Sequence, residues 1–261
     1  MAIITGWLII IISCLVHEIA HGIAMHKKGI AIKEIGFGIP WDKIPSISFR
    51  IKKYWPDITI RLNVLLLIAY IKTDDEKDKM IEKMPYKDYS VIYGSGPLSN
   101  FLLGLLFYGA LVLYFDYHWL VYLIITFIGC WCWVLKDKIM VFLLPLLSIA
   151  CFVFITRMVI FDPTKSLGGP VTICILAYEI IGGRESVIEG ILNFGFGMNI
   201  SLAIVNLLPI VKIDAGQVFG IMSKKCNKSV YEAYKYTSWV YFCCIIVIAL
   251  YNDWNKFTSF F

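Results

Sequence analysis

The stretch Ile3-Ile4-Thr5-Gly6-Trp7-Leu8-Ile9-Ile10-Ile11-Ile12-Ser13-Cys14-Leu15-Val16-His17-Glu18-Ile19-Ala20-His21-Gly22-Ile23-Ala24-Met25 decides the fold class. A helix needs about 20 apolar residues to cross hydrocarbon, and this run has them. It lacks a basic leader and a small-residue cleavage site and carries its own charged cluster, so it reads as a mature span rather than a signal peptide. Comparable runs recur at about residues 91–115, 117–135, 139–161, 193–222 and 235–252. Of the 261 residues, 59% are hydrophobic and only 16% charged, which excludes a soluble enzyme with a large core, a disordered chain and a coiled coil. The expectation is an all-α polytopic membrane protein with about six transmembrane helices. Residues 61–71 and 170–181 are apolar but too short to span, and read as a re-entrant or interfacial strand and an interfacial helix.

The net charge of +5 does not call for a nucleic acid, because the basic residues sit in particular segments between spans. Of the 24 lysines and arginines, 13 lie between Lys27 and Lys87, two at Lys136 and Lys138, and four between Lys224 and Lys235. If those segments are cytoplasmic, six spans with both termini outside satisfy the positive-inside rule at every loop. Cys14, Cys130, Cys132, Cys151, Cys243 and Cys244 fall inside apolar runs and read as small apolar filler, not a disulfide framework.

Inside the first run, His17 and His21 are four residues apart and share one helix face. Two imidazoles so placed can hold one zinc ion, with Glu18 leaning toward the same water. An H-E-x-x-H run by accident has odds on the order of 0.2% at this composition. The energetic argument is stronger: three ionisable groups within a membrane span are costly, and such groups mark function. His26 lies about 140° round the helix from His21 and reads as an interfacial side chain. A catalytic zinc needs a third protein ligand and an open position. His118 falls on the outer side of the expected topology, whereas Asp214 interrupts the fifth run at a depth matching the histidines. The segment Asn206-Leu207-Leu208-Pro209-Ile210-Val211-Lys212-Ile213-Asp214-Ala215-Gly216 also carries a helix-breaking proline, tolerated in a membrane where broken backbone is buried in protein or lines a cavity.

These two motifs, in this order and at matching depth, resemble those of the site-2 protease family of intramembrane zinc metalloproteases. That family joins H-E-x-x-H on one span to N-x-x-P-x-x-x-x-D-G on a later one. Ile35-Gly36-Phe37-Gly38 resembles the beginning of the family's membrane-associated β-hairpin, here residues 35–71. Met84-Pro85-Tyr86 and Gly96-Pro97-Leu98-Ser99-Asn100 resemble the start of its second core span, and Leu167-Gly168-Gly169-Pro170-Val171 the segment before its third. The chain departs from the pattern at Ala215, where glycine is usual, at Val211, where a second proline is common, and at Ile68-Ala69, where the hairpin often has two glycines. It has no PDZ domain; two extra apolar spans, residues 117–161, stand in that position.

The resemblance implies a single protease domain over residues 1–261 with one Zn2+ held by His17, His21 and Asp214, and Glu18 as the catalytic base. It implies substrate contacts at Asn206, Gly36, Phe37, Gly38 and Asn100. The substrates would be single-pass transmembrane proteins cleaved within or near the bilayer, in the cell membrane, with the active site toward the cytoplasm. No nucleic-acid partner is implied, and the oligomeric state is left open. The competing class is a zinc-binding transporter or metal-handling membrane protein. Only one span is strongly broken and no two halves repeat, which argues against a transporter.

Overall fold

The structure is a computed structural model that describes residues 1–38, 45–50, 58–63, 69–73, 77–115, 119–134, 136–161 and 168–260. Helix α1 (Ala2–Lys27) contains the whole first run. It ends where Gly29 turns left-handed at φ 78°, with the Lys28 and Gly29 amides donating to the carbonyls of Met25 and His26.

The expected hairpin over residues 35–71 is instead part of a mixed four-stranded sheet. Strands β1 (Ile32–Phe37), β2 (Ser46–Arg50), β3 (Thr59–Asn63) and β4 (Ala69–Thr73) lie in the order β2-β3-β1-β4. β1 pairs parallel to β3 and antiparallel to β4, and β2 pairs antiparallel to β3. A two-stranded ribbon has too little apolar face to hold itself together; in the wider sheet Ile60 is buried, and Ile35 is buried in a cluster shared with α1 and α3. The run 61–71 accordingly contributes to two strands, and Ile68, one of the positions that depart from the family pattern, lies outside the described residues.

The remaining helices are α2 (Lys77–Lys83), α3 (Tyr86–Phe115), α4 (Trp119–Val134), α5 (Lys136–Phe161), α6 (Pro170–Gly182), α7 (Val187–Asn206), α8 (Asp214–Cys226) and α9 (Lys228–Phe260). Among the described residues five helices are long and apolar enough to cross a membrane: α1, α3, α5, α7 and α9. The sixth expected span corresponds to α4, whose 16 residues make about 24 Å of helix, short of the roughly 30 Å of hydrocarbon. Residues 170–181 form α6, as the shorter run suggested. In the fifth run the break expected at Pro209 is present: α7 stops at Asn206 and a new helix begins at Asp214. Pro209 lacks the amide that continuing α7 would need.

α3 is the central element and packs along both α1 and α7. Its contact with α7 is close because Gly104 faces Ile200 and Gly195 faces the ring of Phe107, the small-residue packing that helices use in bilayers. The outer helices leave large apolar side chains exposed, among them Phe142, Phe154, Val247 and Leu250. On a soluble protein such surfaces promote association; on spans they face lipid. A buried cluster of Met25, Ile35, Ile92, Leu98, Ala215 and Val218 joins α1, the sheet, α3 and α8 at one end of the bundle. The chemistry-bearing residues meet there.

Candidate metal centre

His17 and His21 lie on the face of α1 that meets α3, and both are buried. On α3 three residues at steps of four, Ile92, Gly96 and Asn100, form the opposing face. The Ile92 carbonyl lies 2.7 Å from His21 Nδ1. A carbonyl only accepts, so Nδ1 carries the proton and the lone pair of Nε2 points away from α3's backbone. Ser95 Oγ donates to the same carbonyl at 2.7 Å. Gly96 sits directly under the pair: a Cβ there would collide with Nε2 of His21 and the ring of His17. The Asn100 amide nitrogen, Nδ2, lies 3.1 Å from His17 Nδ1.

Asp214 arrives from the other side, as the first residue of α8. The helix's N-terminal dipole favours its negative charge. The break that delivers it is built residue by residue. The Ile213 amide donates to the Ile210 carbonyl at 3.0 Å, closing a turn whose third residue, Lys212, has φ 81°. A type II turn requires that geometry, and it favours proline at the second position, here Val211. The Tyr234 hydroxyl on α9 lies 3.2 Å from the Pro209 carbonyl and 2.9 Å from that of Gly216, while the Val211 amide donates to Ser238 Oγ. A Cβ on Gly216 would run into the Ile210 carbonyl, so the glycine this loop requires is at 216, and Ala215, fully buried, is accommodated beside it.

The three candidate ligands converge. His17 Nε2 is 3.1 Å from His21 Nε2 and 2.9 Å from Asp214 Oδ2, and His21 Nε2 is 3.2 Å from Asp214 Oδ1. Ligands about 2.0–2.1 Å from a tetrahedral zinc are separated by about 3.3 Å, a few tenths of an ångström wider than this. Asp214 Oδ2 is buried yet makes no hydrogen bond of acceptable geometry among the described residues, despite its closeness to His17. Three ligand atoms that converge on one point, one of them a buried carboxylate oxygen left without a hydrogen bond, suit a cation between them. Two imidazoles and one carboxylate form a typical catalytic zinc set. Among the described residues this is the grouping of His, Cys, Asp and Glu able to hold a metal. Glu18, half-buried, is adjacent to His17 on the same turn.

A family model for peptidase family M50 matches residues 5–250. The chain belongs to that family. No curated protein and no solved structure matches it. M50 members are zinc metallopeptidases that hydrolyse peptide bonds, and the apolar helices make this one an integral membrane protein. The M50 reading agrees with the convergence of His17, His21 and Asp214.

The residues expected at an M50 substrate are placed less directly. Asn206 ends α7 and donates its amide to the Leu202 carbonyl at 3.0 Å, within its own helix. Asn100 touches His17 instead of an open cleft. Phe37 is buried core, and Gly38 ends β1 with φ 96°. Gly36 stands opposite Tyr70, whose ring fills the space a Cβ would need. Tyr70 donates to Glu34 Oε1 at 2.6 Å; burial, and then this hydrogen bond, hold its phenol above the usual range. β1 is flanked on both sides, so among the described residues the sheet's outer strands are β2 and β4. Sequence reasoning missed the part of Ile92 and Gly96, although the i, i+4, i+8 spacing with Asn100 was a readable signal.

Proposed function

We propose that this M50 peptidase cleaves single-pass transmembrane proteins within or near their membrane segment, with its active site toward the cytoplasm and both termini outside. The convergence of His17, His21 and Asp214 beside Glu18 carries the reading. The orientation is supported by the concentration of lysine and arginine in the segments between Lys27 and Lys87 and between Lys224 and Lys235. A cavity of about 180 Å³ lined by Tyr93, Lys212, Gln217 and Tyr231 adjoins the Asp214 turn on that same side and offers water a route. The whole chain acts as one protease domain, with residues 117–161 in the place of a PDZ insertion.

His17, His21 and Asp214 would hold one zinc ion per chain. Zinc supplies Lewis acidity there, acidifying water and polarising the scissile carbonyl. The Glu18 carboxylate takes the water's proton and hands it to the leaving amine nitrogen. A substrate helix hides its carbonyls in internal hydrogen bonds and must unwind, which requires partners for the freed groups. The outer edge of β4, which packs beside α1, supplies them by β-addition. Asn206 becomes a second clamp on substrate backbone when its amide exchanges the Leu202 carbonyl for substrate.

The test is co-expression with tagged single-pass proteins. Glu18→Gln is expected to abolish cleavage and keep zinc, because the base is not a ligand, and retained turnover would overturn the assignment.

A further inference from the structure

His17 and His21 occupy equivalent places on α1, yet α3 meets them with different chemistry. An imidazole that offers Nε2 to a cation carries its proton on Nδ1, and a buried Nδ1–H needs an acceptor. His21 has one in the Ile92 carbonyl. For His17 the atom placed at Nδ1 is the amide nitrogen Nδ2 of Asn100, 3.1 Å away, on the side chain whose Oδ1 is left without a partner among the described residues.

Asn100 is an expensive residue for that position. It is 1% exposed on a membrane-spanning helix, and one of its two amide atoms, Oδ1, has no hydrogen-bond partner among the described residues. A leucine would fill similar space without burying an amide. The polar contact made in return is the one with His17 Nδ1.

We propose that Asn100 is the positioning residue that prepares His17 as a ligand, its amide oxygen accepting from Nδ1–H so that the Nε2 lone pair faces the point shared with His21 and Asp214. A carboxamide suits this because a half-turn about Cβ–Cγ exchanges its two ends. With nitrogen inward, the rotation the structure holds, it donates to a bare Nδ1 and holds the tautomer whose proton blocks Nε2. With oxygen inward it holds the tautomer that binds metal. On this reading Ile92, Gly96 and Asn100 are one device: a carbonyl for one histidine, a gap for both rings, and an amide for the other. Asn100 thus acts through His17, not on the substrate.

The inference rests on the histidines being metal ligands, and the experiment separates the two. The full chain is purified in detergent, zinc affinity is measured by competition with a chromophoric chelator, and thermal unfolding is followed with zinc stripped and with zinc restored. Asn100→Leu is expected to unfold no earlier than wild type without zinc, to bind zinc about 10–100-fold more weakly, and to lose most of the zinc-induced shift in Tm. Asn100→Asp, which presents an acceptor at either rotation, is expected to recover affinity to within about tenfold of wild type. Asn100→Ser, too short to reach Nδ1, gives the same comparison if leucine is not accommodated. Wild-type affinity in Asn100→Leu and Asn100→Ser, or Asn100→Asp as weak as either, would overturn the proposal. Unchanged zinc binding in His17→Ala would overturn the metal site itself, and this inference with it.

Discussion

The two halves of the metal centre are built on opposite principles. The histidine half is two unbroken helices in register, α1 presenting His17 and His21 and α3 answering with Ile92, Gly96 and Asn100 at the same spacing. The aspartate half is a break in the chain, a strained turn held by groups on α9. Continuous helices fix side chains through backbone bonds that cannot easily exchange for water in a bilayer. A turn depends on a few side-chain bonds. The aspartate half is therefore expected to yield by degrees when one of those bonds is lost, and the histidine half to lose metal when a ligand, its partner on α3 or the gap at Gly96 is altered.

Four substitutions break or sharpen that contrast, in decreasing order of effect. Asp214→Asn keeps size but removes the charge that offsets a dication; zinc affinity should fall more than about 100-fold and cleavage with it, as read by chelator competition and a substrate assay. A wild-type rate in this variant would move the third ligand elsewhere, His26 being the next residue to examine. Gly96→Ala drives a methyl into both imidazoles, so metal content should fall at least about tenfold although no ligand is touched. Normal zinc loading would show that α1 and α3 separate more readily than their register suggests.

Tyr234→Phe removes a hydroxyl from two carbonyls of the aspartate half, and should cost about 1 kcal/mol in thermal unfolding while weakening zinc by a smaller factor than Gly96→Ala. An effect on zinc as large as that of Gly96→Ala would mean that the break depends on this one hydroxyl as strictly as the histidines depend on the gap at Gly96. Lys212→Gly relieves a left-handed conformation that lysine rarely adopts, and is expected to stabilise the chain by roughly 1 kcal/mol with little change in zinc affinity. A drop in stability would show that the Lys212 side chain contributes more than its backbone costs.

The histidine half was legible from the sequence because its information is local. H-E-x-x-H puts two ligands and a base on one helix face whatever surrounds it, and ionisable groups inside an apolar run declare themselves by their cost. The G-P-L-S-N segment is readable, but which neighbour Asn100 meets is not, since nothing in one sequence says which helix faces which. The sheet was underestimated for the same reason. Strand pairing is non-local, and the parallel pairing of β1 with β3 has no signature in residues 32–63.

Composition and periodicity by themselves determined that the chain spans a membrane, that His17, Glu18 and His21 share a face, and that the chain breaks near Pro209, because helix period, apolar run length and a missing amide act over a few residues. Tertiary structure decided that α7 ends at Asn206 and Asp214 opens a new helix, that β1 is internal to a mixed sheet, and that Asn100 faces His17. Those outcomes depend on which surfaces meet after each helix has formed, and that choice is made by packing between segments far apart in the chain.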